Sequence, residues 1–449
     1  MKKKIFAALT ALVMTSAIMS GCGNESSDKG SDNKDTTAAE TTAPAETSET
    51  TAETAEQEID YNEGLKAPVS KEKININDGF TENMYARALF NNGDTSRLAA
   101  KLKAAVKLAA DKDMEAPEKA EHSTKIAFIG DSITAGSQAD SENRYTNVLT
   151  QWWDENISYY WKSINAGIGA TDSYLAVHRV DEEVLKEEPD IIFIEFINDE
   201  NNEFYKTTMD SLVRKCLSAP NDPAVIMIEM TMEDGTCPQE VHSEIGLKYD
   251  IPIISYHDAV IPEIEAGNLD WKDISPDNIH PNNAGHRMLG EMLARFLSDT
   301  IDNFDNIDTD SITHFDGSIE SPTGDKYHDA SLLDSESAEI TENEGFENSA
   351  DPWNFQNNLT CQNGGTATFE LEFKNLGLLY YMTTDGKSGI ASVSIDGEVV
   401  TEINADFTGG WGDYAKNQEI ATFDEKGKHT VTVTVPEGKR FGILRWMIS

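Results

Sequence analysis

Between residues 125 and 296 the chain alternates short, continuous apolar runs with helix-like stretches, and this alternation restricts the fold more than any other feature. The runs lie at 125–129, 163–165, 190–196, 224–230 and 252–256, and the stretches between and after them include 144–156, 173–186 and 282–296. A strand that is apolar on both faces has to be covered on both faces, so the pattern predicts βαβ units around a buried parallel sheet. Ligands of such sheets sit beyond the carboxyl ends of the strands. Upstream, Leu98, Leu102, Val106 and Leu108 recur at near-helical spacing after Asn92-Gly93-Asp94. That spacing predicts one amphipathic helix over 95–112, capped by Asp94 or Thr95.

Past about residue 300 the texture changes to an Asp/Ser/Thr-rich stretch, followed by alternating segments at 367–373, 377–382, 392–395 and 430–435, with the turn Asp396-Gly397 among them. No helix-period run interrupts them, which predicts an antiparallel β-sandwich appended to the α/β unit. A chain of 449 residues is in any case too long for one ordinary domain.

The first residues belong to neither unit. Met1-Lys2-Lys3-Lys4 leads into an apolar stretch at 5–19 that is too short to span a bilayer and fits an export signal. It ends in Met19-Ser20-Gly21-Cys22, which resembles the lipobox of bacterial lipoproteins and implies lipid attachment at Cys22. The Thr/Ala/Glu/Ser-rich tract that follows has almost no large apolar residue to offset ordering entropy, and is expected to be a disordered tether.

With 80 acidic against 36 basic residues, the formal charge of −44 disfavours nucleic acid as a partner. It selects no substrate, since acidity also keeps a secreted protein soluble. Besides Cys22 there are Cys216, Cys237 and Cys361, too few and too scattered for a disulfide framework or a zinc site. Buried free thiols are the expectation, with no structural metal and no cofactor.

Three places carry chemistry. The first apolar run ends in Ile129-Gly130-Asp131-Ser132-Ile133-Thr134, which puts the Ser132 hydroxyl at a strand-to-helix turn facing the ligand crevice. This is not the Gly-x-Ser-x-Gly elbow, because Thr134 stands where the second glycine would be. On its own the triplet is weak, since Ser and Asp are common helix caps. A serine hydroxyl needs a base, and the base needs a carboxylate to fix its tautomer. Asp277-Asn278-Ile279-His280-Pro281 supplies both within one turn. Donors for a developing oxyanion are available in Asn165-Ala166-Gly167-Ile168-Gly169-Ala170-Thr171 and in Phe196-Ile197-Asn198-Asp199.

Taken in order, Gly-Asp-Ser, a glycine-rich second block, Asn-Asp after the third run and Asp-x-x-His-Pro resemble the SGNH (GDSL) hydrolases over roughly 125–299. The resemblance implies a flavodoxin-like, three-layer parallel-sheet domain of esterase or lipase activity. It implies Ser132 as nucleophile, His280 as general base, Asp277 as its orienting acid, and an oxyanion hole from Ser132, Asn198 and a second-block amide. That amide aligns with Ala170, or with Gly169 if one residue is deleted. Phe196 stands where the family usually has glycine, and is expected to narrow the acyl pocket.

The layout expected is therefore a lipoprotein signal at 1–21, a tether at 22–75, an SGNH domain with a helical extension at 76–300, and a sandwich at 301–449. The activity expected is hydrolysis of small acyl esters, O-acetyl above all, on polysaccharide, by an enzyme held at the bacterial membrane through its lipid. The rivals are a lipase, thioesterase or acyltransferase with the same triad, and a non-catalytic glycan-binding lipoprotein. His286, the pairs Trp152-Trp153 and Tyr159-Tyr160, and Trp411 are further candidates for substrate contact, the first five being more ordinary as core residues.

Overall fold

The computed structural model describes residues 67–349, 355–409 and 412–449. The signal at 1–21, Cys22, most of the tether and Trp411 lie outside the described residues.

The first sheet contains β1 (Leu89–Asn91), β2 (Thr124–Gly130), β3 (Trp161–Gly167), β4 (Ile191–Glu195), β5 (Ala224–Glu229) and β6 (Ile253–Ser255), in the order β1-β6-β5-β4-β2-β3. From β3 to β6 all pairs are parallel, with Ala127 opposite Ile164 on one side and Ile192 on the other. This is the flavodoxin-like order, with its switch point between β2 and β4. The sheet is not wholly parallel, however: β1 closes one edge antiparallel to β6. That strand is three residues long, too short to show a period.

The helices are α1 (Glu82–Ala88), α2 (Ser96–Ala110), α3 (Ala116–Glu121), α4 (Ser132–Ala135), α5 (Tyr145–Asn156), α6 (Ser173–Glu183), α7 (Glu203–Leu217), α8 (Gln239–Lys248), α9 (Tyr256–Glu265), α10 (Trp271–Ile274) and α11 (Asn283–Asp302). Side-chain alternation along β2 divides the core into two layers. Ile126 and Phe128 join Leu98 and Leu102 of α2, Leu149 of α5 and Leu289 of α11, while Ala127 and Ile129 join Leu175 of α6, Leu212 of α7 and Ile245 of α8. Both faces of the central strands are thus buried, which is why they read as unbroken apolar runs.

The second sheet contains β7 (Ser331–Leu333), β8 (Glu339–Ser349), β9 (Asn358–Met382), β10 (Ile390–Ile395), β11 (Glu398–Asn404), β12 (Tyr414–Val435) and β13 (Phe441–Ile448). It is the expected sandwich, antiparallel except where β13 runs parallel to β9, and wraps around a core that includes Phe369, Leu378, Val393, Val433 and Trp446. The segments expected at 367–373 and 377–382 are one strand, β9, which stays paired with β12 across irregularities at Glu419/Ala421 and Thr422/Gly427. The β10–β11 turn has Asp396 and Gly397 both at positive φ, as a two-residue hairpin turn requires.

All described residues fall in one compact unit, so the two sheets do not part into separate bodies. The segment joining them is strapped to α7. Arg214 donates to the Ile319 carbonyl and pairs with Asp325, Lys215 donates to the Ala330 carbonyl, and Ser321 and Thr323 donate to Asp210. Tyr327, Phe355, Leu379, Leu444 and Met447 then share the α6–α7 core. Among the described residues no helix is long and apolar enough to cross a membrane, and no His/Cys/Asp/Glu group is arranged to hold a metal. Cys216 and Cys361 are buried free thiols, and Cys237 is a half-buried one.

Candidate active site

Ser132 opens α4, directly beyond the carboxyl end of β2, and is 8% exposed. The turn is built without slack. A Cβ on Gly130 would lie 2.1 Å from Thr134 Oγ1 and 2.6 Å from the Glu195 carbonyl, so only glycine fits there. Asp131 caps the turn by accepting from the Ile133 N–H, and the Ser137 N–H closes onto the Ser132 carbonyl at 2.9 Å. As the first helical residue, Ser132 has a backbone N–H with no intrahelical acceptor.

The histidine arrives on the loop before α11. The Ser132 hydroxyl donates to His280 Nε2 at 3.0 Å, and His280 Nδ1 donates to Asp277 Oδ2 at 2.9 Å. Asp277 Oδ1 accepts from the backbone N–H groups of His280 (2.7 Å) and Ile279 (2.9 Å). Burial pushes the Asp277 carboxyl up, but these backbone donors and the imidazole outweigh it and hold it below its ordinary value. The loop is fixed in turn by Trp271 Nε1, 2.6 Å from the Asp277 carbonyl, and by the Ser275 hydroxyl, 2.7 Å from the carbonyls of Asp277 and His280. An imidazole oriented by a carboxylate through one nitrogen and facing a hydroxyl with the other can take that hydroxyl's proton as it attacks a carbonyl carbon.

The donor side holds one departure from expectation. Gly169 and Ala170 are exposed beside the serine, with the Cβ position of Gly169 3.8 Å from Ser132 Cβ and Ala170 at a φ of +59°. The turn is stiffened by the Thr171 hydroxyl, which donates to the Ile168 carbonyl at 2.6 Å. The Asn198 side-chain amide does not stand free. It donates to Asp131 Oδ2 at 2.9 Å and to the Thr171 carbonyl at 3.0 Å, tying the nucleophile turn to the second-block turn.

Beneath these turns lies a buried acidic network. Glu195 accepts from Thr134 Oγ1 and from the backbone N–H groups of Ile197 and Asp131. Asp131 accepts in return from both the backbone and the side chain of Asn198. Burial, opposed by its donors and reinforced by the charge of Glu229, pushes Glu195 up to about 7, and burial with the charge of Glu195 raises Asp131. Alongside, His242 bridges Glu229 Oε2 (3.2 Å) and Asp199 Oδ2 (3.0 Å), all three nearly inaccessible. Burial disfavours its charge, but the two carboxylates outweigh burial and raise it to about 10, so it is the cation of the cluster. The sequence does carry a signal for this network: β4 and β5 are otherwise apolar and each ends in a single carboxylate, Glu195 and Glu229.

The remaining candidates lie elsewhere. His286 is fully buried, accepts from the Tyr145 N–H and donates to the Ser137 carbonyl. Burial lowers it to about 4, so it stays neutral and braces the loop behind Ser132. Phe196 is 1% exposed, in the core that holds Tyr174 and Met209, and so fills space under the strand end instead of narrowing a crevice. Trp153 is core, and Tyr159 and Tyr160, whose rings meet at a tilt of 39°, precede β3, at the end of the sheet away from Ser132. A cavity of about 770 Å³ beside Arg97, Ala224 and Asp250 also opens at that far end.

Residues 128–288 match the family model of the GDSL-like lipase/acylhydrolases. No curated protein matches the chain. Among solved structures, it is similar to a two-domain esterase (CEX) active on acetylated mannans, at 26% identity and a TM-score of 0.72, over 81% of this chain and 98% of that one. The same esterase co-crystallised with mannopentaose matches at 25% identity and a TM-score of 0.72, over 81% and 97%.

Proposed function

We propose that this chain, a serine ester hydrolase whose residues 128–288 form a GDSL-like lipase/acylhydrolase domain, removes O-acetyl groups from polysaccharide, with acetylated mannan as the substrate class. The observation that carries the chemistry is the relay Ser132–His280–Asp277, with contacts of 3.0 and 2.9 Å. The substrate class draws its support from the acetylated-mannan esterase, whose likeness extends over both sheets and nearly its whole length.

In the mechanism, His280 Nε2 takes the Ser132 proton as the oxygen attacks the acetyl carbonyl. Asp277, held ionised by its backbone donors, keeps the Nδ1–H tautomer and stabilises the imidazolium that forms. The oxyanion is met by the Ser132 N–H and by an amide of the Gly169-Ala170 turn. Asn198 joins them only by giving up one of its two resting acceptors. His280 then protonates the sugar hydroxyl as it leaves, and water delivered through the same base releases acetate from the acyl-serine. The export-like segment and Cys22 support a lipoprotein held at the cell surface, where a polymeric substrate is encountered.

Acetate release from acetylated mannan, acetylated xylan and p-nitrophenyl esters of increasing chain length tests the reading. Release from mannan with a preference for acetyl over long acyl chains is the expected result, and a preference for long chains would replace it with a lipase. A Cys22→Ala protein shed into the medium, while the parent stays with membranes, is expected of the anchor.

A further inference from the structure

The second sheet approaches the active-site turn at one point. Asn417 of β12 donates from its side-chain amide to Asp172 Oδ1 at 2.7 Å, across 245 positions of sequence. Asp172 follows directly on Gly169-Ala170-Thr171 and caps α6 by accepting from the Leu175 N–H at 3.0 Å. Its other oxygen accepts from the Tyr205 hydroxyl at 3.3 Å. The next residue toward the serine, Thr171, offers its carbonyl to Asn198, and Asn198 holds Asp131 next to Ser132. A connected path, hydrogen bonds with one backbone step from Asp172 to Thr171, therefore runs from β12 to the nucleophile turn. The approach is close around it: a Cβ on Gly377 of β9 would lie 2.2 Å from the Tyr174 hydroxyl, and Ala415 packs on the α6–α7 core.

We propose that Asn417 is a positioning residue for ester hydrolysis, its amide holding Asp172 and thereby the turn whose backbone donors face Ser132. The sandwich is then part of the catalytic apparatus in a mechanical sense, whatever else it binds. This rests on the proposed role of Ser132. The turn is held by the Thr171 hydroxyl, by Asn198 and by the Asp172 cap that Asn417 anchors, and a displacement of about 1 Å at an oxyanion donor costs up to about 100-fold in rate.

The charges around Asp172 give a readout that loss of packing alone would not produce. Burial raises its carboxyl to about 6, and the charge of Asp199 adds to this. The Leu175 N–H, the Asn417 amide and the charge of Lys416 oppose it. Removing the amide raises it further, so Asp172 takes up a proton at higher pH and its cap weakens there. In Asn417→Asp a second carboxylate faces the first; the pair shares a proton at low pH and repels at high pH.

The test measures kcat and KM on p-nitrophenyl acetate between about pH 5 and 9 for the parent, Asn417→Ala, Asn417→Asp and Ser132→Ala. Glu419→Gln, which disturbs the contacts of the same strand with Lys326 and Tyr327, is the control. Expected for Asn417→Ala are a kcat lowered between about 10- and 100-fold, KM within about twofold, and an acid limb moved to higher pH. Asn417→Asp is expected to lose activity as pH rises, opposite to the parent, and Glu419→Gln to match the parent. Parent-like kcat and pH profile in both Asn417 variants, a change in KM alone, or an equal loss in Glu419→Gln overturns the proposal. Should Ser132→Ala keep its activity, the reading of Ser132 fails separately. Amide exchange at 167–175 then decides, faster in Asn417→Ala supporting the tether and unchanged exchange refuting it.

Discussion

Asp277→Asn asks more of the site than a deletion does. In the structure Asp277 Oδ1 accepts from two backbone N–H groups while Oδ2 accepts from His280 Nδ1. An asparagine has one acceptor oxygen, and the two backbone donors claim it, because turning the amide over would set its N–H₂ against both. The amide N–H₂ must therefore face Nδ1, which can receive its proton only as the other tautomer. His280 Nε2 then carries the hydrogen and meets the Ser132 hydroxyl as a donor, 3.0 Å away, unable to take its proton. A triad frozen in the wrong tautomer loses on the order of 10⁴ in kcat, or about 5.5 kcal/mol of barrier. The side chains differ by one atom type, so the melting temperature should move little. Stopped or continuous assay on p-nitrophenyl acetate near neutral pH, with thermal melts of the same samples, reads both quantities. A kcat within tenfold of the parent would refute the reasoning, since the carboxylate would then not be setting the tautomer.

Three more outcomes follow from named contacts. Glu195, raised from 4.5 to about 7 by burial, binds a proton in the folded state that it releases on unfolding, so its contribution is intact below its unfolded value and is lost as pH rises through the folded one. Stability of the parent relative to Glu195→Gln should fall by on the order of 3 kcal/mol between about pH 4.5 and 7; a flat difference in denaturant midpoints contradicts it. Gly130→Ala forces a methyl into the space of Thr134 Oγ1 and the Glu195 carbonyl, and should cost at least about 3 kcal/mol or prevent folding; a parent-like melt would deny the close packing of this turn. Ala170→Gly relieves a left-handed backbone and leaves its N–H in place, so it should gain about 1 kcal/mol of stability with kcat preserved, and a large fall in kcat would show that the methyl group itself is used.

What could be read from sequence was what is local or periodic. Ser132 was legible because an unbroken apolar run stops in a capped turn, and Asp277 with His280 because three residues bring carboxylate and imidazole into one turn. β2, β4, β5 and β6 follow from burial on both faces, whereas β3 is a largely exposed edge strand. β1 is too short to carry a period, and β9 reads as two pieces because Lys374-Asn375 interrupts its alternation while its pairing with β12 continues around a bulge. The acidic network escaped because its partners are distant in sequence. Glu195 meets Thr134 across 61 residues, His242 meets Asp199 across 43, and Asn417 meets Asp172 across 245. Asn198 was identified as a donor, but that its amide is held by Asp131 and Thr171 depends on how two turns pack side by side.

The central claim is that Ser132, activated by His280, forms the covalent bond to the acyl group. The most direct measurement is the site and rate of reaction with a fluorophosphonate, read by intact mass and peptide mapping in the parent, Ser132→Ala and His280→Ala. One adduct per chain, mapped to Ser132, absent in the first variant and strongly slowed in the second, is the result the account predicts. An adduct on another residue, or full esterase activity in a protein whose Ser132 is replaced, would contradict it.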